Sequence, residues 1–328
     1  MTYTVFIDGQ AGTTGLELAA RLSTHPLIDL LAIENRFRKD AERRRSLFEQ
    51  ADVVALCLPD DAAREAVRLE PGARFLDAST AHRTSPDWTY GLPELGEGQR
   101  EAIHASARVA NPGCYPTGFV LSIRPLIEAG LLDPALPLRL NAVSGYSGGG
   151  KSMIAKYQSC DKPALRTRPY GFGLAHKHVP EMHRYAKTDS APLFTPSVGH
   201  YYRGMLVQVA LFTRELSGKA KPSDVWRALA DRYRDEPFVH VHGLHPENAL
   251  DDGFLSPTSR NGSNHLDLMV FASDEQLLIV SRYDNLGKGA AGAAVQNLNL
   301  MLGLTETEGL LVAPATCGDG QGSPNENV

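Results

Sequence analysis

The 328-residue chain is 42% hydrophobic and 22% charged, with a net charge of −5. That length allows two domains and a large core, and the mild acidic balance argues against a general nucleic-acid or membrane-surface role. No apolar run approaches the roughly 18 residues that a membrane helix needs. The N-terminal stretch Met1–Ile7 lacks the charged-then-apolar layout of a signal peptide. Four cysteines, Cys57, Cys114, Cys160 and Cys317, form no CxxC pair and no zinc pattern, so no metal site is expected. A soluble protein of the reducing cytoplasm is the expectation.

The first third of the chain alternates strands and helices. Tyr3–Ile7 reads as a short apolar strand, Thr13–Leu22 as a helix ending before Pro26, and Leu27–Ile33 as a second strand. Asp52–Leu58 is a nearly continuous apolar run, as a parallel strand buried on both faces requires. Asp60 reads as the cap of a helix running to Leu69. Arg74–Asp77 and Arg108–Ala110 complete the strands. Repeated strand–helix units predict an α/β, Rossmann-type, doubly wound parallel sheet.

Between the first strand and first helix lies Gly9-Gln10-Ala11-Gly12-Thr13-Thr14-Gly15. Its GxxGxxG spacing is a variant of the dinucleotide-binding turn, in which small residues let the backbone approach a pyrophosphate at a helix N-terminus. The second strand is followed not by a lone acid but by Arg36, Arg38 and Lys39, which suits the 2′-phosphate of NADP. Arg43–Arg45 continue the run and read equally well as a solvated helix face.

Asn111-Pro112-Gly113-Cys114-Tyr115-Pro116-Thr117-Gly118 follows the strand Arg108–Ala110. Pro116 suits the first turn of a helix, where its missing N–H costs nothing. Cys114 is thereby presented at a strand-to-helix corner near the positive helix end, which favours the nucleophilic thiolate.

Beyond Thr117 longer alternating strands appear: Leu138–Val143, Leu206–Thr213, His265–Ser273 and Gln276–Arg282, the last two joined as a hairpin. They predict a C-terminal α+β domain with a mainly antiparallel sheet. Gly145–Ser152 matches GxxxxGK[ST], the phosphate loop of ATP- and GTP-hydrolysing proteins. Its mid-chain place and the lack of a later apolar strand ending in Asp weigh against that reading. Ser144, Ser147 and the glycines, Gly148 among them, suit a loop that gives hydroxyls and N–H groups to an anionic substrate. A P-loop ATPase stays as the alternative from another class. His176 and His178 flank Lys177; two residues apart in an extended segment, they would face the same side. Either can serve as the acid/base. Arg83, after Ser79-Thr80-Ala81-His82, is the candidate anion contact at a strand's carboxyl end. Asn285 opens the final, alanine-rich helix, and Glu181 can orient a histidine or bind substrate. The polar stretch from residue 304 on reads as a disordered tail.

Together these motifs resemble the short form of the N-acetyl-γ-glutamyl-phosphate reductase family of arginine biosynthesis. The resemblance rests on Phe6–Gly15, Asp77–Arg83, Tyr90–Glu94, Asn111–Gly118, Ser144–Gly150, His176–Glu181 and Asp284–Ala291. It implies the fold of glyceraldehyde-3-phosphate and aspartate-semialdehyde dehydrogenases. The implied division is an NADP-binding domain over 1–116, a substrate domain over 117–284, a helix over 285–303 returning to the first domain, and a tail over 304–328. It implies attack of Cys114 on an acyl phosphate, reduction of the thioester by NADPH and release of an aldehyde. The cofactor would meet Gly9, Gln10, Gly12, Thr13, Thr14, Gly15, Arg36, Arg38, Ser79 and Asn285. The small-molecule substrate would meet Arg83, Asn111, Ser144, Ser147, Gly148 and Glu181. Members of this fold are usually homo-oligomers. A related acyl-phosphate reductase, with an aminoadipyl or aspartyl substrate, is the near alternative.

Overall fold

The computed structural model describes residues 2–159 and 166–310, which leaves Cys160 and Cys317 outside the described part. The first sheet contains β1 (Tyr3–Asp8), β2 (Ile28–Leu31), β3 (Val53–Leu56), β4 (Phe75–Asp77), β5 (Thr89–Tyr90) and β6 (Arg108–Ala110). All neighbouring pairs are parallel, in the order β2-β1-β3-β4-β6-β5. Helices α1 (Thr13–Leu22), α2 (Ala41–Gln50), α3 (Asp60–Leu69) and α4 (Gln99–Ala105) make the crossovers. Val53, Val54, Ala55 and Leu56 are all buried, which is why β3 reads as an unbroken apolar run. Asp60 is not a cap, contrary to expectation. Pro59 precedes α3, and the Asp60 carboxylate instead accepts the Thr80 N–H at 3.0 Å and the Thr80 hydroxyl.

Helix α5 (Cys114–Glu128) leaves the first sheet and runs beneath the second. The second sheet holds β7 (Arg139–Gly145), β8 (Arg168–Pro169), β9 (Leu193–Gly199), β10 (Met205–Phe212), β11 (Val239–Leu244), β12 (Leu266–Ala272) and β13 (Gln276–Tyr283). Its order is β11-β12-β13-β10-β7-β9-β8. It is mixed: β7 with β9 and β11 with β12 are parallel, and the other pairs are antiparallel. Helices α6 (Gly150–Gln158), α7 (Val179–Ala186) and α8 (Pro222–Arg232) accompany it. Phe119, Val120, Ile123 and Leu126 of α5 are buried with Val207, Val209, Leu268 and Ile279 of the sheet.

The chain then returns. A π-helical turn over Gly287–Ala291 leads into α9 (Gly292–Met301). Ala294, Val295 and Leu298 of α9 pack with Val5 and Ile7 of β1 and with Leu18 and Leu22 of α1. Residues 304–310, expected to be disordered, are packed. Leu310 is buried in that cluster, Asn299 Nδ2 donates to the Glu306 and Glu308 carbonyls, and Glu306 pairs with Arg100 at 2.7 Å. The remainder of the expected tail lies outside the described residues. Among the described residues no helix is long and apolar enough to cross a membrane.

Candidate active site

Two cavities flank the turn between β1 and α1. The outer one, about 570 Å³, is lined by Gly9–Gly12, Ile33, Asn35, Arg38, Lys39 and Leu58 among others. The backbone itself demands two of the turn's glycines. Gly9 has φ +89°, and a Cβ there would fall on the Cys57 carbonyl oxygen; a Cβ on Gly15 would lie 2.6 Å from the Gly9 carbonyl oxygen. Gly12, the N-cap of α1, offers no side-chain cap to the helix N–H groups, and the Thr13 hydroxyl is buried without a partner. A helix end with free N–H groups and an orphaned hydroxyl fits a pyrophosphate. Asp8, polar at a position usually apolar, is explained by Arg44: the guanidinium donates to its carboxylate at 2.7 and 3.1 Å. Arg44 is therefore buried, not part of a solvated face, while Arg43 and Arg45 are exposed. Arg36 is exposed and pairs with Glu34 at 3.0 Å; only Arg38 of the two expected arginines lines the cavity.

The inner cavity, about 360 Å³, lies between the sheets. It is lined by Thr13, Thr14, Arg83, Asn111, Cys114, Ser144, Ser147, Gly148, His176, His178 and Asn285, with Tyr115, Met153, Tyr170, Lys177, Val198 and others. Gly9, Gln10, Gly12 and Arg38 line the outer cavity instead. Ser79 lines neither; it is tied to Asp77, its N–H donating at 2.8 Å and its hydroxyl at 2.7 Å.

Cys114 is the first residue of α5, with Gly113 as N-cap. Gly113 is crowded by the site's charged groups: a Cβ there would lie 2.6 Å from Arg83 Nη1, 2.8 Å from His178 Nε2 and 2.9 Å from Glu181 Oε2. The buried Glu181 carboxylate gathers three donors, the Gly113 N–H at 2.7 Å, the Tyr90 hydroxyl at 2.7 Å and Arg83 Nη1 at 3.2 Å. Glu181 itself does not line the cavity. Arg83 is committed further, with Nε donating to the Asn111 carbonyl and Nη2 to the Ala78 carbonyl, each at 2.9 Å. The sequence expectation of a ready thiolate meets an opposing force. Burial pushes the Cys114 thiol up to about 11, against the pull of Arg83 and the Tyr115 N–H. A proton acceptor is needed beside it.

The two histidines supply one, though not from an extended segment. They sit in the turn that enters α7, and their rings meet at 4.9 Å, nearly edge to face. His176 Nδ1 accepts the His178 N–H at 3.2 Å, which leaves the proton of a neutral His176 ring on Nε2. His178 is buried with Nδ1 unpartnered. Burial, then the positive field of Arg83, holds His178 well below the usual imidazole range, so it is neutral at pH 7.

Asn285 joins the halves of the site. Its Oδ1 accepts the Gly204 N–H at 2.8 Å and its Nδ2 donates to the Ser147 hydroxyl at 2.9 Å. Asn111 is held likewise, donating to the Ala290 carbonyl at 3.1 Å and accepting from Asn297 at 3.0 Å. Lys151 of the GxxxxGKS stretch is exposed and does not line the cavity.

A family model described as the semialdehyde dehydrogenase NAD binding domain matches residues 4–106, and one described as the semialdehyde dehydrogenase dimerisation domain matches 114–285. The N-acetyl-gamma-glutamyl-phosphate reductase of Trichormus variabilis is 50% identical over 317 residues, 93% of this chain and 98% of the relative. The chain belongs to the N-acetyl-gamma-glutamyl-phosphate reductase family. A second family member, N-acetyl-gamma-glutamyl-phosphate reductase 2 of Pseudomonas putida, is 46% identical over 94% of this chain and 99% of its own. The solved aspartate semialdehyde dehydrogenase II of Vibrio cholerae shares the fold, with a TM-score of 0.68 at 17% identity over 92% of this chain and 98% of its own. The enzyme from Candida albicans, solved with NADP, has a TM-score of 0.60 at 16% identity over 92% and 99%. No family or fold comparison supports the P-loop alternative. The family's chemistry is that of an oxidoreductase with a nicotinamide cofactor. Tyr90, Tyr115, Tyr170, Lys177 and Met153 are site residues that sequence reasoning did not single out; Tyr90, Tyr115 and Lys177 lay inside quoted motifs, and Tyr170 and Met153 carried no local signal.

Proposed function

We propose that the protein reduces N-acetyl-γ-glutamyl phosphate to N-acetylglutamate 5-semialdehyde and phosphate, using NADPH. The observation that carries this reading is Cys114 at a helix N-terminus, facing the same cavity as the neutral His178 and His176. His178, neutral and with an unpartnered ring nitrogen, takes the Cys114 proton as the negative charge of the acyl phosphate comes beside it, and passes that proton to the departing phosphate. The sulfur bonds the acyl carbon, the carbon–oxygen bond to phosphate breaks, and a thioester remains on Cys114. A nicotinamide cofactor held at the β1–α1 turn, by the Thr13 hydroxyl and the uncapped start of α1, would supply the hydride that reduces this acyl carbon. His176, holding its proton on Nε2, stabilises the oxygen, and the sulfur departs as the aldehyde is released. Glu181 and Arg83 hold Gly113, and through it the start of α5, in place.

The Thr13 hydroxyl and the open α1 N-terminus would hold the pyrophosphate, and Arg38 with Lys39 would take the NADP 2′-phosphate in the outer cavity. The substrate would meet Ser144, Ser147 and Gly148, with Arg83 and Asn111 behind them. A homo-oligomer formed through the second sheet, and a cytoplasmic location that keeps Cys114 reduced, belong to the same reading. Cys114→Ser should lower turnover by more than a thousandfold, on the order of a lost nucleophile, with NADPH affinity unchanged by fluorescence titration. Retention of a tenth of wild-type activity would refute covalent catalysis here. Arg38→Ala should raise the NADPH KM roughly tenfold, as loss of one charged hydrogen bond does, and spare NADH; an unchanged ratio would return Arg38 to a surface role.

A further inference from the structure

The inner cavity has a chemical asymmetry. Its titratable lining groups are cationic, neutral or weakly acidic: Arg83, Lys177, His176, His178, Cys114 and the tyrosines. Neither an Asp nor a Glu lines it among the described residues.

One wall is apolar. Met153 on α6, Tyr170 beside β8 and Val198 on β9 cluster over the buried Tyr157. Every one of these comes from the second sheet or the helix packed on it, and none from the nucleotide turn. Room for the Met153 side chain is made by Gly149, where a Cβ would fall on the Met153 sulfur. At the edge of this wall the Tyr170 hydroxyl donates to the Tyr115 hydroxyl at 3.2 Å, and Tyr170 also lies 5.9 Å from the His176 ring. The wall thus ends in hydroxyls suited to an amide, next to the reacting end of the cavity.

We infer that Met153, Tyr170 and Val198 form the subsite for the substrate's N-acyl group, and that this wall sets which acyl group is accepted. The inference rests on the function proposed above. The methyl of the acetyl group lies on Met153 and Val198, and the amide faces the tyrosine hydroxyls. Met153, unbranched and adaptable, sets the length of acyl group that fits.

The test runs the reaction in its oxidative direction, with NADP⁺ and inorganic phosphate, on N-acetyl- and N-propionylglutamate semialdehyde. One methylene in an apolar pocket shifts discrimination at least about tenfold. Met153→Ala should raise the propionyl-to-acetyl ratio of kcat/KM roughly tenfold, and Met153→Phe should lower it. Val198→Ala, which trims the same wall from another element, should move the ratio as Met153→Ala does if that variant melts too low to assay. A ratio unchanged in these variants, while the wild type turns over the acetyl compound, overturns the subsite. A wild type that binds NADP⁺ yet oxidises neither compound overturns the proposed function itself.

Discussion

The chain contains two glycine-rich turns from strand into helix, and they are built in opposite ways. The β1–α1 turn is shaped by its own backbone and its immediate neighbour. Gly9 needs φ +89° and closes against Cys57, Gly15 closes against Gly9, and the Gly12 N–H donates to the Gly9 carbonyl at 3.0 Å. The β7–α6 turn is shaped from a distance. The Gly145, Tyr146 and Ser147 N–H groups donate to the carbonyls of Gly204, Tyr201 and Tyr202 at 2.9–3.0 Å, and Asn285 holds the Ser147 hydroxyl. The first turn leaves N–H groups and a hydroxyl unspent, as a ligand for phosphate requires. The second has spent three N–H groups on the neighbouring loop, so what it offers a ligand depends on chain segments some 55 to 140 residues away. Similar glycine spacing therefore does not mean similar chemistry.

The largest expected effect tests that contrast directly. Gly9→Ala places a methyl on the Cys57 carbonyl in a backbone conformation that L residues rarely adopt. It should cost about 3 kcal/mol of stability, from strain and overpacking together, and should abolish cofactor binding in any folded fraction. Gly148→Ala meets only the Ser144 hydroxyl at 3.3 Å and Asn285 Nδ2 at 3.6 Å. It should cost less than about 1 kcal/mol and raise the substrate KM instead. Urea unfolding of the two variants decides the matter; equal losses would mean that both turns are locally determined.

Between the turns lies His178, and pH reads its environment. Burial and Arg83 hold its folded-state affinity for a proton well below that of the unfolded chain. Below about pH 6.5 the unfolded state takes up a proton that the native ring refuses. The stability contribution is therefore present above pH 6.5 and is lost as pH falls below it, with a slope of up to about 1.4 kcal/mol per pH unit. His178→Asn should flatten the fall in unfolding free energy between pH 6.5 and 5. An identical slope in the variant would place the titration elsewhere, in His176, His240 or His265, which burial also holds low.

The same contrast explains what sequence reasoning could reach. The helix Thr13–Leu22 and the strand Arg108–Ala110 were legible to the residue, and the helix ending at Leu69 to within one residue at its start, because local periodicity and turn chemistry define them. The corner at Cys114 was legible because Gly113 and Pro116 are local punctuation. The parallel pairing of β7 with β9 was not, since alternation along a strand says nothing about its neighbour's direction. Arg44 could not be told from Arg43 and Arg45 without knowing that Asp8 waits beneath it. Arg83 read as a free anion contact because Glu181, 98 residues later, is what occupies part of it. The packed segment 304–310 read as tail because its anchors, Arg100 and His25, are some 200 and 285 residues away in the chain.

The smallest effect is the sharpest test of the second turn. Lys151 completes a GxxxxGKS match, and in a phosphate loop its ammonium would carry much of the nucleotide affinity. Here its side chain is exposed and outside the cavity, and no other described residue pairs with it. Lys151→Ala should leave kcat and both KM values within twofold and change stability by less than about 0.5 kcal/mol, as surface substitutions do. Magnesium-dependent ATP binding that the substitution abolished would show that the turn retains phosphate-loop chemistry after all. A silent substitution would leave the motif's lysine as a consequence of spacing alone, with Ser147 and Gly148, the former held by Asn285 and the 201–204 loop, as the part of the turn that lines the inner cavity.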